Sequence, residues 1–247
     1  MLTAVFWDMD GTLIDSEPYW HDAEIVVSLT HGGFWTEKIG WACSGEPVPR
    51  LAARVVKNGV QLPVDEVARL MVKCVGELEK AHMPWIPGVE NVLQQLADAK
   101  IPSVLVTASP RQLAENLMAQ APKGAFVGCV CGDDHLTAKP DPAPYLAAAR
   151  LVGIEHETVQ SEGNNTDVED SDFALAMAHC IAIEDSFTGL ESAAASGATT
   201  LAQTAFIPTD TSQGPQFASI DGYEDLTVAR LENYVSRRIA ELAECIG

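Results

Sequence analysis

Ala4-Val5-Phe6-Trp7-Asp8-Met9-Asp10-Gly11-Thr12 is the stretch on which the reading of the whole chain turns. Four apolar residues stop abruptly at an acid, which predicts a short buried strand. Residues two apart on an extended chain project to the same side, so Asp8 and Asp10 emerge together at the strand's carboxyl end. Gly11 lets the backbone turn sharply there. Such a pair can divide its work, one carboxylate attacking as a nucleophile and the other moving a proton. Two ionised carboxylates side by side repel each other unless a cation sits between them.

Outward from this point the pattern is a run of helices, then strands and helices in alternation. Ser16 suits an N-cap, Pro18 suits a first helical turn, and Gly32-Gly33 closes that helix. A second helix is predicted over 50–57, stopped at Gly59, and a third follows Pro63. In the third, Val67, Leu70, Met71, Cys74, Val75 and Leu78 form one apolar stripe. Pro84-Trp85-Ile86-Pro87-Gly88 reads as a return linker. Beyond it, strands are predicted over 103–106, 126–130, 180–183 and 199–202. Helices are predicted over 89–99, 111–120, 142–152, 188–196 and 225–246. This alternation implies an α/β fold with a parallel sheet covered on both faces. The expected division is a core from 1–15 and 85–247, with a helical unit over 16–84 inserted into it.

Ligands of such sheets sit beyond the carboxyl ends of the strands. There the sequence places further polar groups. Thr107-Ala108-Ser109 follows the second strand, Lys139-Pro140 precedes a helix, and Glu184-Asp185-Ser186 follows a later strand. If the edges converge, a carboxylate pair, hydroxyls, an ammonium and a second acid pair meet. Hard oxygen ligands of this kind suit Mg²⁺.

These motifs, in this order, resemble the haloacid dehalogenase superfamily of phosphotransferases. The longer runs Asp10-Gly11-Thr12-Leu13-Ile14-Asp15-Ser16-Glu17-Pro18 and Ile183-Glu184-Asp185-Ser186-Phe187-Thr188-Gly189-Leu190-Glu191-Ser192-Ala193 are similar to the subgroup of β-phosphoglucomutase and small sugar-phosphate or phosphoglycolate phosphatases. The resemblance implies a Rossmann-like parallel-sheet core and makes the inserted helices an α-helical cap. It implies that Asp8 attacks phosphorus and that Asp10 is the acid and base. Mg²⁺ would be held by Asp8, the Asp10 carbonyl and Asp185, with Glu184 beside it. Thr107 and the backbone at Ala108 would hold the phosphoryl oxygens, and Lys139 would neutralise charge. The implied activity is hydrolysis of a small phosphorylated metabolite, Asp15-Ser16-Glu17-Pro18 looking more like the phosphatases than the mutases. A hexose phosphate mutase and a non-catalytic phosphoester-binding protein are the alternatives. Specificity candidates in the cap are His21, Trp41, Ser44, Arg50 and Lys57.

Composition narrows the partners. The chain has 247 residues, with 35 Asp+Glu against 15 Lys+Arg and a net charge of −20. That charge argues against nucleic acid and anionic membranes, and no local basic patch is visible in the sequence. No apolar run is long enough to span a bilayer and no secretory signal is read at the N-terminus, so a cytoplasmic location is expected. The six scattered cysteines are expected to be reduced thiols. Oligomeric state is left open, with a monomer favoured. The stretch 155–172 carries seven acids and no Lys or Arg, and is expected to be a solvated, mobile insertion in the core.

Overall fold

The computed structural model describes residues 1–155, 166–206 and 210–246, without the side chains of 166–170 and 245–246. Among them is a six-stranded sheet: β1 (Ala4–Trp7), β2 (Ser103–Val106), β3 (Phe126–Val130), β4 (Cys180–Glu184), β5 (Thr199–Gln203) and β6 (Ala218–Ile220). Its order is β3-β2-β1-β4-β5-β6, and every pair is parallel. Because β1 pairs with β2 on one side and β4 on the other, the strand order reverses at β1. A parallel sheet opens a crevice for ligands at such a point. Asp8 follows β1, and Glu184 and Asp185 lie at the end of β4. The acids of the opening motif therefore stand on neighbouring central strands.

Alternation along each strand divides the core in two. Val5, Trp7, Leu105, Ile181, Ile183 and Leu201 face one layer, with Leu93 of α5 (Val89–Asp98), Leu117 of α6 (Arg111–Gln120) and Leu231 of α10 (Val228–Ile246). Ala4, Phe6, Val104, Val106 and Ala182 face the other, against Tyr145 of α7 (Ala143–Leu151) and Ala193 of α9 (Phe187–Ala195). Full burial on both faces explains why β1 and residues 104–106 of β2 read as unbroken apolar runs.

Between β1 and α5 lie four helices: α1 (Glu17–Thr30), α2 (Glu37–Trp41), α3 (Val48–Lys57) and α4 (Val64–Ala81). The two chain segments that join them to the sheet run side by side. Asp15 donates its amide to Pro84 O at 2.9 Å, and Ile86 donates to Leu13 O at 2.9 Å. Helix α4 lies against α6, where Gly76 leaves room for Leu113.

Several expectations need correction. The helical stretch has four helices rather than three, because α2 is only 5 residues long and too short to show a period. Strand β6 was not foreseen. It is a 3-residue edge element with little apolar content. Of the acidic stretch, residues 156–165 lie outside the described residues. From Thr166 the chain is not an irregular insertion but helix α8 (Thr166–Ala178). The far end of that helix anchors in the core through Met177. No helix among the described residues is long and apolar enough to cross a membrane.

Candidate active site

The site forms where β1 and β4 end. Asp8, Glu184 and Asp185 are buried, and each presents an oxygen within 4.8 Å of the others. Lys139 closes the group. Its Nζ donates to Asp8 Oδ1 at 2.8 Å, to Glu184 Oε1 at 2.6 Å and to Val106 O at 2.8 Å. A lysine before a proline is ordinarily a surface residue. This one keeps only 10% of its side chain exposed, because two carboxylates and a carbonyl at the end of β2 satisfy all three of its protons.

Electrostatics follow from that crowding. Burial works to lower the Lys139 ammonium, but the charges of Asp8 and Glu184 outweigh it and hold the group above the ordinary lysine value. Glu184 is pushed up to about 7 by burial and by Asp8, against the opposing pull of Lys139 and Tyr145. Asp185 is raised well above the usual carboxylate range by burial and by both acidic neighbours, with Thr12 pulling the other way. Three clustered acids with one ammonium leave an excess of negative charge. All the donors are hard oxygens. Both features fit a divalent cation such as Mg²⁺, whose charge would remove the mutual repulsion.

Asp10 faces elsewhere. Its Oδ1 accepts a short hydrogen bond from Ser16 Oγ, and its Oδ2 accepts one from Ser109 Oγ at 2.7 Å. Desolvation raises its pKa, opposed mainly by these two hydroxyls. Ser16 does occupy the N-cap position of α1, but its hydroxyl makes no cap bond, contrary to expectation. It is drawn to Asp10 instead. Thr107 is buried, and its Oγ1 accepts from the Ser109 amide at 2.9 Å. Ala108 is exposed beside it. The Thr107–Ser109 turn rests on the end of β3, with Thr107 N donating to Val130 O at 2.9 Å and Gly132 N to Ser109 O at 3.0 Å.

Residues that pattern reading passed over hold the acids in place. Tyr145 donates its hydroxyl to Glu184 Oε1 at 2.5 Å, and Thr12 donates to Asp185 Oδ1 at 2.9 Å. Tyr223 Oη in turn donates to Thr12 O at 2.8 Å, and Gln203 Nε2 to Gly11 O at 3.0 Å. Gly189 is required where it stands, since any Cβ there would collide with the Glu184 carboxylate. The glycine in the first turn of α9 was a signal available in the sequence. Tyr145 and Tyr223 gave none, because an aromatic residue on a helix such as Tyr145 reads as core and Tyr223 lies in a loop with no motif around it.

The five cap candidates are not gathered at this point. His21 is buried, with its Nε2 3.2 Å from Glu17 Oε1 and 3.4 Å from Ser44 Oγ. Its ring stands edge-on to Trp41, centroids 4.5 Å apart. Arg50 is exposed, 3.9 Å from Glu46. Arg50 and Lys57 line a surface groove of about 540 Å³ with Trp35, Ile39 and Cys43. Among the described residues, none of the five makes a polar contact with Asp8, Asp10, Lys139, Glu184 or Asp185.

Comparison with known proteins agrees with this geometry. Residues 2–197 match the model of the haloacid dehalogenase-like hydrolase family. A phosphorylated carbohydrates phosphatase of Thermotoga maritima is 30% identical over 175 residues, covering 68% of this chain and 79% of its own. A phosphoglycolate phosphatase of Pseudomonas fluorescens is 29% identical over 160 residues, covering 61% and 58%. The crystal structure of β-phosphoglucomutase from Clostridium difficile shares the fold with a TM-score of 0.71, at 16% identity, covering 97% of this chain and 100% of its own.

Proposed function

The chain belongs to the haloacid dehalogenase-like hydrolases, and from that membership we propose a magnesium-dependent phosphatase of small phosphomonoesters, working through an aspartyl-phosphate. The observation that carries the reading is the setting of Asp8. Lys139 holds one of its oxygens, while Glu184 and Asp185 crowd it with negative charge. A carboxylate oriented in this way, beside a site for a cation, is suited to attack an electrophilic phosphorus.

Each residue has a part in that reaction. Asp8 forms the bond to phosphorus as the ester oxygen leaves. Asp10 enters protonated, favoured by its raised pKa, and gives its proton to the leaving oxygen. Ser16 and Ser109 orient it for this transfer. Once deprotonated, Asp10 takes a proton from water, which attacks phosphorus and frees Asp8. Thr107 and the Ala108 amide receive the phosphoryl oxygens, and Lys139 neutralises charge on them and on Asp8. Asp8, Asp185 and the Asp10 carbonyl would hold Mg²⁺, with Glu184 supporting through its link to Lys139. When bound, Mg²⁺ supplies positive charge to the phosphoryl group. Helices α1–α4 act as a cap, moving on the two paired linkers to shut out water. The phosphatase names of its relatives point to phosphorylated carbohydrates or phosphoglycolate as the substrate class.

The test is a panel of sugar phosphates, phosphoglycolate and an aryl phosphate, with phosphate release and isomerisation read in parallel. Phosphate release that needs Mg²⁺ and disappears in Asp8→Asn is the expected result. Isomerisation without net release would make the protein a mutase. Absence of turnover throughout, or full activity in Asp8→Asn, would overturn the reading.

A further inference from the structure

Edge strand β3 ends in Cys129-Val130 and Cys131 follows at once, giving two thiols with no part in phosphoryl transfer. Being two apart, they lie on the same side of the sheet, and both join the same core layer. Cys129 is half-buried and Cys131 is buried. The two thiols are close enough to influence each other electrostatically. Arg111, the first residue of α6, donates from Nη1 to Cys129 Sγ at 3.1 Å. That guanidinium is itself held, since its Nη2 lies 2.5 Å from Asp134 Oδ1. The backbone is pinned as well, with Arg111 N donating to Asp133 Oδ1 at 3.1 Å and Cys131 N to Asp134 Oδ2 at 3.0 Å.

The Arg111 guanidinium is placed to stabilise negative charge that develops on the Cys129 sulfur as it reacts. Burial raises the Cys131 thiol, as does its contact with Cys129, so it is the thiol that keeps its proton until the second step. A half-buried sulfur held against a fixed cation and next to a second cysteine is the arrangement of a thiol sensor with its resolving partner.

We propose that Cys129 and Cys131 form a reversible peroxide-sensitive switch that acts on the phosphate-binding turn. The Cys129 thiolate attacks hydrogen peroxide. A sulfur–oxygen bond forms, the peroxide bond breaks, and hydroxide leaves, giving the sulfenic acid. The Cys131 sulfur then attacks the Cys129 sulfur. A disulfide forms, and the sulfenic oxygen leaves as water with the Cys131 proton. Overall, two thiols are oxidised and one peroxide is reduced to two waters.

The consequence for the site follows from what lies between and after the two sulfurs. Val130 O receives the Thr107 amide, and Gly132 N donates to Ser109 O. At Gly132 there is no room even for a Cβ against Ala108 O. Residues two apart on a strand have Cα atoms about 6.6 Å apart, near the upper end of what a disulfide spans. Closing the bond therefore draws the chain in at Val130. The turn over Thr107–Ser109 moves with it, and so does Ser109 Oγ, which holds Asp10.

The experiment oxidises the reduced full chain with graded hydrogen peroxide and follows it by peptide mass mapping. The expected product is a peptide two hydrogens lighter that bridges Cys129 and Cys131 and is restored by dithiothreitol. Turnover of an aryl phosphate should fall several-fold on bridging and recover on reduction. In Cys131→Ser, dimedone should trap a sulfenic acid at Cys129. Cys129→Ser should resist peroxide and keep its activity, and Arg111→Gln should slow the oxidation. Both cysteines staying reduced while other thiols oxidise would overturn the proposal. So would a bridge involving Cys43, Cys74, Cys180 or Cys245, or a 129–131 bridge that leaves turnover unchanged. The mass readout does not depend on the phosphatase reading.

Discussion

Two groups of buried acids sit in this protein and are treated differently. At the sheet edge, Asp8 and Glu184 share the Lys139 ammonium, Glu184 also has Tyr145, and Asp185 has Thr12. In the helices, Glu24 accepts from the Trp35 indole at 2.8 Å, and Glu79 from Asn116 at 3.2 Å. Glu79 Oε1 is buried with no partner among the described residues. Glu24, Glu79 and Glu184 are all pushed to about 7, in each case chiefly by burial. Glu184 reaches that value because Asp8 adds to burial while Lys139 opposes both. The helical acids accept from neutral donors, and the charges that act on them, Glu17 on Glu24 and Asp10 on Glu79, repel them. A similar displacement thus has two meanings. The sheet edge concentrates negative charge that a cation can use, whereas the helices hold carboxyls that are most stable when protonated.

The contrast is tested most severely at Lys139. Lys139→Ala leaves two buried carboxylates without their counter-charge, and kcat/KM should fall roughly 100-fold or more. A loss below about threefold would mean that the ammonium has no part in the chemistry. Thr12→Val removes the hydroxyl partner of Asp185, and chemical denaturation at neutral pH without metal should show a loss of about 1–3 kcal/mol. An unchanged midpoint would show that Asp185 needs no donor.

In the helices the sign reverses. Folding raises Glu79 to about 7, above the 4.5 of an ordinary glutamate, so between those values the folded state binds more protons than the unfolded. Stability therefore falls as pH rises from about 4.5 to 7 and levels off above. Glu79→Gln should remove about 1–2 kcal/mol of that fall, read as denaturant midpoints across the range. An undiminished slope would place the pH dependence elsewhere. The smallest effect comes from the charge of the whole molecule. At saturating Mg²⁺, kcat/KM should rise by less than about twofold with moderate salt, as repulsion between the −20 chain and an anionic substrate is screened. A steep fall would mean that a local basic field steers the substrate.

How much could be read from residues alone depended on how local the signal was. Strand β1 begins and ends where its apolar run does, and β2 ends where its run does, because central parallel strands are buried on both faces and polar residues mark their ends. The convergence of Asp8, Glu184 and Asp185 was legible because sheet topology brings strand ends together, while Lys139 is delivered by the loop between β3 and α7 and was legible only through its Lys-Pro motif. The contacts of Ser16 were not. Capping preference is a local rule, and a buried carboxylate nearby in space competes successfully for the same hydroxyl. Tyr145, Tyr223 and Gln203 support the site from across the fold, so no spacing in the sequence announces them. Helix α8 was obscured by acids that locally mimic an unstructured stretch, while Met177, its core anchor, lies beyond them.

The central claim is that Asp8 carries the phosphoryl group, and acid quenching during turnover tests it directly. With Mg²⁺ and a reactive phosphoester, the peptide containing Asp8 should carry one phosphoryl group, labile to hydroxylamine and absent from Asp8→Asn. Turnover with no phosphorylated peptide under any quench time, or with the phosphoryl group on another residue, would contradict it.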